Sequence, residues 1–236
     1  MKINKAHGDD GMGSLMLQEL KDVLTIIYNR SLSESKLPND WKITNVTLIL
    51  KKGKKCDAGN YRPISLTSHA CKILEYIIQE SIINHINVNN LLNESQHGFI
   101  SKHSCLTNLL QFIETVIDYV DQEYPVDVIF LDFQKAFDKV PHGRLLLKLK
   151  AMGIGSLVAN WIESWLSDRK QRVVIKGKCS GWSEVSSGVP QGSVLGSILF
   201  VIFINYIKDG ICDNILKFQM ILNFSVKLVP ILIVQN

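Results

Sequence analysis

Apolar positions recur along this chain in two periods, that of a helix and that of a strand. Leu17, Leu20, Leu24 and Ile27 share one helical face over residues 14–32, and Leu37-Pro38 breaks the pattern before Trp41. Val46 to Leu50 reads as a strand running into a basic turn, and Asn60-Tyr61-Arg62-Pro63 as an irregular return, which together make a hairpin-like element. Helical spacing then covers residues 70–88, through Ile73, Ile77 and Ile78, and residues 104–121, through Leu106, Leu109, Leu110, Ile113, Ile117 and Val120. The apolar run Val126 to Leu131, just after Pro125, predicts a central strand buried on both faces. Beyond Pro141, Leu157, Val158, Trp161, Ile162, Trp165 and Leu166 mark another amphipathic helix. Gln171 to Lys176 and Gly181 to Val185 predict a hairpin around Gly177, and Ser187-Gly188-Val189-Pro190-Gln191-Gly192 is a rigid loop feeding an apolar helix that begins near Ser193. Helices and strands intermix without repeat or linker, which favours an α/β or α+β fold.

Length and composition narrow the classes. With 236 residues, 46% of them hydrophobic, the chain can bury one sizeable core, divided at most into two closely packed subdomains. The start, Met-Lys-Ile-Asn-Lys-Ala-His, lacks the apolar core of a signal peptide, and the run Ser193 to Ile207 is too short to cross a bilayer. An intracellular protein of nucleus or cytoplasm, neither secreted nor in a membrane, is expected. Cys56, Cys71, Cys105, Cys179 and Cys212 are odd in number and widely spaced, which fits reduced thiols. A net charge of +4 is compatible with a polyanionic partner without requiring one. Its distribution is more informative: Lys51-Lys52-Gly53-Lys54-Lys55 is a compact basic turn, and Arg169, Lys170, Arg172, Lys176 and Lys178 form a second cluster. Each suits phosphate contact, although for either cluster taken alone a solvated charged turn is the favoured reading.

The candidate chemistry centres on Val128-Ile-Phe-Leu-Asp132-Phe-Gln-Lys-Ala-Phe-Asp138. A strand that delivers Asp132 at its end suits a divalent-metal site, because nucleotidyl transfer by two metal ions needs carboxylates to hold both cations. A cap or turn residue is the structural alternative for Asp132. Phe137 offers a flat ring that could exclude a ribose 2′-hydroxyl, or serves as a core aromatic. Arg62 suits bidentate grip of a triphosphate, or a surface salt bridge. Gln191 carries both donor and acceptor, and Gly192 permits close backbone approach.

In order, the basic turn, Tyr61-Arg62-Pro63-Ile64-Ser65, Gln96-His97-Gly98-Phe99, the Asp132 block and Ser187-Gly188-Val189-Pro190-Gln191-Gly192-Ser193 closely resemble the reverse transcriptase domain of non-LTR (LINE-type) retrotransposons. The likeness covers residues 8–218 and includes Leu37-Pro38-x-x-Trp41-Lys42, Trp165-Leu166-Ser167-Asp168-Arg169 and Gly192-Ser193-Val194-Leu195-Gly196. It implies a right-hand polymerase of fingers and palm, dependent on Mg²⁺, that copies an RNA template into DNA from a DNA primer and deoxynucleotides. By the same resemblance, Asp132 binds metal with help from the Phe133 backbone carbonyl, and Phe137 is the sugar gate. Arg62 and Gln191 contact the incoming deoxynucleotide beside Gly192, Lys51 or Lys52 approaches its phosphates, and Asp138 and Lys135 support them.

The family pattern then fails. Where it has Phe/Tyr-Ala-Asp-Asp, this chain has Lys217-Phe218-Gln219-Met220-Ile221-Leu222-Asn223, so Met220 and Ile221 replace the second pair of metal carboxylates. Ile100 and Ser197 stand where the family usually has Arg and Pro, and no thumb or endonuclease segment is recognised. The genetic code offers a cause. Phe-Ala-Asp-Asp-Thr-Lys written TTT GCA GAT GAT ACT AAA becomes Phe-Gln-Met-Ile-Leu when the first G of the Ala codon is deleted. The expected organisation is a truncated fingers and palm over residues 8–218 and a frame-shifted tail over residues 219–236. An inactive polymerase remnant is the principal reading; a non-catalytic binder of RNA or RNA-DNA, or a poorly folding product without function, are the others. The frame-shift account predicts Ala-Asp-Asp in the adjacent frame of the genomic DNA, and sequencing that finds none there refutes it.

Overall fold

The computed structural model describes residue 12 and residues 14–100, 103–133, 135–208, 214–218 and 221–227. The helices are α1 (Ser14–Glu19), α2 (Lys21–Glu34), α3 (His69–Val88), α4 (Cys105–Asp121), α5 (His142–Ala151), α6 (Ser156–Leu166) and α7 (Leu195–Ile204). The strands are β1 (Ile43–Leu50), β2 (Tyr61–Leu66), β3 (Val126–Asp132), β4 (Lys170–Ile175), β5 (Lys178–Cys179), β6 (Ser183–Glu184), β7 (Asn214–Phe218) and β8 (Ile221–Lys227). They divide into two compact units, one drawn from Met1–Leu91 and Phe137–Phe203 and the other from Leu92–Ala136 and Ile204–Asn236.

The first unit is built on a mixed sheet of order β2-β1-β4-β5, with β6 pairing β4. β1 and β2 are antiparallel, so the segment read as an irregular return is a regular strand, with Val46 opposite Ser65 and Ile49 opposite Arg62. β4 joins β1 in parallel and turns into β5 through Lys176 and Gly177, both at positive φ, as the predicted turn requires. Cys71, Leu74, Ile78, Ile82 and Ile86 make the buried stripe of α3, and Trp161, Ile162, Trp165 and Leu166 that of α6. Each such large apolar side chain contributes about 1.5–3 kcal/mol on burial. The helix predicted from Ser193 is α7, which buries Leu195, Leu199, Phe200, Val201 and Ile202 and so serves as a core helix. No helix among the described residues is long and apolar enough to cross a membrane.

Buried polar groups tie these elements together. Trp161 donates to Ser31 Oγ at 3.0 Å and Trp165 to Glu75 Oε1 at 3.1 Å, so both interior indoles are satisfied. Tyr28 donates to the Ala70 carbonyl at 2.8 Å, and burial pushes its hydroxyl up to about 12. Arg169 departs from its assignment to a phosphate-contacting cluster. It is 2% exposed, donates to the Trp165 carbonyl and to Thr44 Oγ1, and lies over the Trp165 ring. It falls just before β4 begins, where its side chain turns inward, while Lys170, Lys176 and Lys178 remain exposed. Burial lowers its pKa, an effect that the Cys71 and Glu75 charges oppose. Cys71 is buried and Cys56, Cys105 and Cys179 are exposed, all as free thiols, while Cys212 lies outside the described residues.

The second unit has an antiparallel sheet of order β3-β8-β7 with α4 against it. Ser104 and Thr107 form a reciprocal capping box at the start of α4. Gln96 bridges to Lys217, and His97 N–H donates to the Lys217 carbonyl at 2.8 Å, so the Gln96-His97 segment borders β7. The His97 ring reaches Thr107 Oγ1 at 3.1 Å and Gln111 Oε1 at 2.7 Å, linking that border to α4. Burial, helped by His103, lowers the His97 pKa against the Gln111 contact.

β3 corrects one expectation. Among the described residues it is an edge strand paired with β8 alone, and Ile129, Phe130 and Leu131 are exposed, so it is not buried on both faces. Asp127 interrupts the apolar run, and an edge strand with alternating Val126 and Val128 half-buried accounts for the same sequence.

Candidate functional site

The loop before α7 is held from three directions. Gly188 N–H donates to the Val140 carbonyl and Val189 N–H to the Phe137 carbonyl, both at 2.8 Å, and Ser187 Oγ donates to the Asp138 carbonyl at 3.0 Å. His142 Nε2 lies 2.8 Å from the Gly188 carbonyl. In the middle, the Gln191 carbonyl accepts from Ser65 N–H at 2.7 Å, which satisfies the free edge of β2. At the end, Ser193 Oγ donates to the Pro190 carbonyl at 2.7 Å and accepts from Gly196 N–H at 3.1 Å. The loop expected to be rigid is therefore pinned along its length.

Two glycines make the close approaches possible. Gly188 has φ +88°, and a Cβ there would sit 2.7 Å from the backbone of Asp138. Gly192 has φ +110°, with a Cβ 2.9 Å from the Ser65 carbonyl oxygen. A side chain at either position would meet backbone, which cannot swing away.

Phe137 is half-buried and stacks on Phe200 of α7, with ring centroids 4.8 Å apart and planes 21° from parallel. It is therefore both packed and partly open, with its orientation set by α7. Gln191, Asp138, Ser65, Gly188 and the polar edge of β4 line a cleft of about 370 Å³ in the first unit. Arg62 does not line it. It is exposed on β2 opposite Ile49 and, among the described residues, takes part in no ion pair, so a surface salt bridge does not account for it. Lys51 and Lys52 are exposed where the β1–β2 connection begins. That connection is ordered by Lys51 N–H to the Asn60 carbonyl, Asn60 Nδ2 to the Lys54 carbonyl and Tyr61 OH to the Lys55 carbonyl.

The second unit carries the metal candidates. Asp132 ends β3, Phe133 follows it with 37% of its surface exposed, and Asp132 is registered opposite Ile221 of β8. Phe218 of β7 pairs with the same Ile221, so the C-terminal end of β7 and the start of β8 lie at the end of β3 that carries Asp132. Met220 lies outside the described residues. Neither β7, Asn-Ile-Leu-Lys-Phe, nor β8, Ile-Leu-Asn-Phe-Ser-Val-Lys, contains an acidic residue. The first unit thus contains Lys51, Lys52, Arg62, Phe137, Gln191 and Gly192, and the second contains Asp132 and Phe133.

Residues 49–223 match the family described as reverse transcriptase (RNA-dependent DNA polymerase). The chain belongs to the reverse transcriptase family. Its similarity extends to polymerases of non-LTR retrotransposons. It is 30% identical over 205 residues to the probable RNA-directed DNA polymerase from transposon X-element of Drosophila melanogaster, covering 85% of this chain and 22% of that protein. The RNA-directed DNA polymerase from mobile element jockey of the same fly is 32% identical over 209 residues, with 86% and 23% covered. The chain thus spans less than a quarter of the length of these curated relatives. Among solved structures, the apo telomerase of Candida tropicalis is similar in fold, with a TM-score of 0.58 at 11% identity, over 88% of this chain and 44% of that one. A telomerase of Candida albicans in complex with a fragment of telomeric RNA gives 0.54 at 12% identity, over 91% of this chain and 43% of that one. The mixed α/β architecture is that of the right-hand polymerases.

Reasoning from sequence missed several supports of this reverse transcriptase loop: His142, the backbone of Ser65 and Asp138, and Glu75. His142, directly after Pro141 at the start of α5, carried a signal only in hindsight of its 2.8 Å contact with Gly188. Gly188→Ala should lower unfolding free energy by about 1–3 kcal/mol from backbone strain alone, before any clash is counted. Gly143→Ala is the control, since nothing lies within 4 Å of its added Cβ. Urea denaturation with equal midpoints for Gly188→Ala and the parent contradicts the pinned-loop geometry.

Proposed function

We propose that this chain is a fingers and palm portion of a retrotransposon RNA-directed DNA polymerase that keeps its nucleotide-facing elements and lacks the carboxylates needed for catalysis. In this reading Arg62 and Gln191 contact the incoming deoxynucleotide, Gly192 allows its close approach, Lys51 or Lys52 approaches its phosphates, and Phe137 faces its sugar. Asp132 and the Phe133 carbonyl are the surviving metal ligands. RNA template and DNA primer are the partners. The pinned Ser187–Ser193 loop, the half-buried Phe137 and the exposed Arg62 support the nucleotide part.

The observation that carries the rest is the register of β3 and β8. It puts Ile221, one of the two positions expected to hold a carboxylate, directly opposite Asp132. Mg²⁺ requires a near-octahedral shell of oxygen ligands. The strands β3, β7 and β8 bring a single acidic residue, Asp132, to this end of the sheet. Such a donor set does not fit a pair of Mg²⁺ ions, and no catalytic step is derived through them.

A second reading, nucleic-acid binding without chemistry, is favoured by the exposed lysines of the β1–β2 connection and of the β4–β5 hairpin. The similar Candida albicans telomerase was solved with RNA. Such binding would weaken steeply with salt.

Primer extension on a primed RNA template with Mg²⁺ tests the proposal. The chain as given should incorporate no deoxynucleotide. Gln219→Ala with Met220→Asp and Ile221→Asp should restore incorporation, and adding Asp132→Ala should abolish it again. Incorporation by the unaltered chain that Asp132→Ala removes would overturn the proposal.

A further inference from the structure

Glu75 sits in the middle of the buried stripe of α3 and is 0% exposed. A carboxylate there is costly unless every lone pair is used. Its Oε1 accepts from the Trp165 indole at 3.1 Å and from the Cys71 thiol at 3.4 Å. Its Oε2 accepts from Val194 N–H at 2.7 Å and from Leu195 N–H at 3.3 Å. All four partners are donors, and two of them are backbone groups at the start of α7, a ten-residue helix. The first backbone N–H groups of a helix have no partner within it, and the helix end carries partial positive charge that a carboxylate complements.

The grip is directed at one residue. One turn along α3, Gln79 Nε2 donates to the Val194 carbonyl at 3.3 Å, so α3 holds both backbone polar groups of Val194. Val194 is two residues past Gly192. On the other side of the same turn, Ser65 N–H holds the Gln191 carbonyl at 2.7 Å. The turn that presents Gln191 is thus stretched between β2 and α3, and α7, started by Glu75, carries Phe200, on which Phe137 stacks.

We propose that Glu75 is a positioning residue: its buried carboxylate caps α7 from the side of α3 and thereby holds the Pro190-Gln191-Gly192 turn and the Phe137–Phe200 stack in register. The functional side of this inference rests on the nucleotide-binding reading of that turn. The two caps divide the work: Ser193 Oγ takes the Gly196 N–H locally, and Glu75 takes the Val194 and Leu195 N–H groups that Ser193 leaves. Charge-assisted hydrogen bonds to a buried carboxylate are among the stronger ones a protein makes.

The test has two arms. In the unaltered background, Glu75→Gln keeps the volume but has one acceptor oxygen, so in either orientation its NH₂ faces the indole N–H or the two backbone N–H groups. Amide exchange at Gly192, Val194, Leu195 and Gly196 should quicken by about tenfold relative to α6 amides. Gln79→Ala, at a half-buried position, should produce a smaller acceleration confined to the same segment. Exchange that is unchanged in both variants, or that rises equally in α6, overturns the assignment. In the second arm, Glu75→Gln is placed in the chain carrying Ala, Asp and Asp at positions 219, 220 and 221. The KM for deoxynucleotide should rise by about tenfold, kcat should change by less than about threefold, and preference over ribonucleotides should fall. Unaltered KM and preference there contradict the functional side. If that parent incorporates nothing, the polymerase reading fails, and the exchange arm still decides whether Glu75 positions the turn.

Discussion

A single buried carboxylate, Glu75, holds together parts of the chain that lie far apart in sequence. Through its two oxygens it reaches the indole N–H of Trp165 of α6 and the start of α7, and Arg169 lies over the ring of that same indole, bonded to the Trp165 carbonyl and to Thr44 of β1. α3, α6, α7 and β1 therefore meet in one polar chain inside an otherwise apolar core. Removing one member of such a network strands the others without water to replace it, which costs more than the net worth of any one bond. The Ser187–Ser193 loop inherits its position from this core, and Phe137 takes its orientation from α7.

The second unit is organised by a different constraint, the pairing of β3 with β8. Antiparallel register leaves no freedom in which residue stands opposite Asp132 once the strands are paired, because a slip of one residue turns every side chain to the other face. Ile221 is that residue. The paired strands on either side of that position, β7 and β8, carry no acidic residue of their own. The strand after the turn pairs because Ile221-Leu-Asn-Phe-Ser-Val-Lys227 supplies apolar residues at strand-like spacing, whatever its origin.

Much of this was legible beforehand. The stripe of α6, the turn at Gly177 and the loop before α7 follow from period and punctuation, and so does the existence of α3, although of Ile73, Ile77 and Ile78 only Ile78 lies in its buried stripe and Ile77 is exposed. What escaped the sequence was set by long-range contacts. Arg169 reads as one member of a basic cluster, and only the approach of Trp165 and Thr44 shows that it points inward. β3 looks like a central strand because exposure of an apolar run depends on its neighbours, and here it has β8 on one side alone among the described residues. The six apolar positions from Leu106 to Val120 do form a helical stripe on α4, yet all six are exposed. Glu75 did leave a trace, as a charge between Leu74 and Ile78 on an apolar face. Partners some ninety and one hundred and twenty residues away gave that trace its meaning.

The central claim, that the residues opposite Asp132 no longer complete a divalent-metal site, is tested most directly by titrating Mn²⁺ into the unaltered chain and following the free-ion signal by electron paramagnetic resonance. Mn²⁺ takes the same hard oxygen ligands as Mg²⁺ and reports its own binding. The account predicts no saturable site in the chain as given, and one that appears when Met220 and Ile221 are both changed to Asp. A saturable site in the unaltered chain that disappears with Asp132→Ala would contradict it.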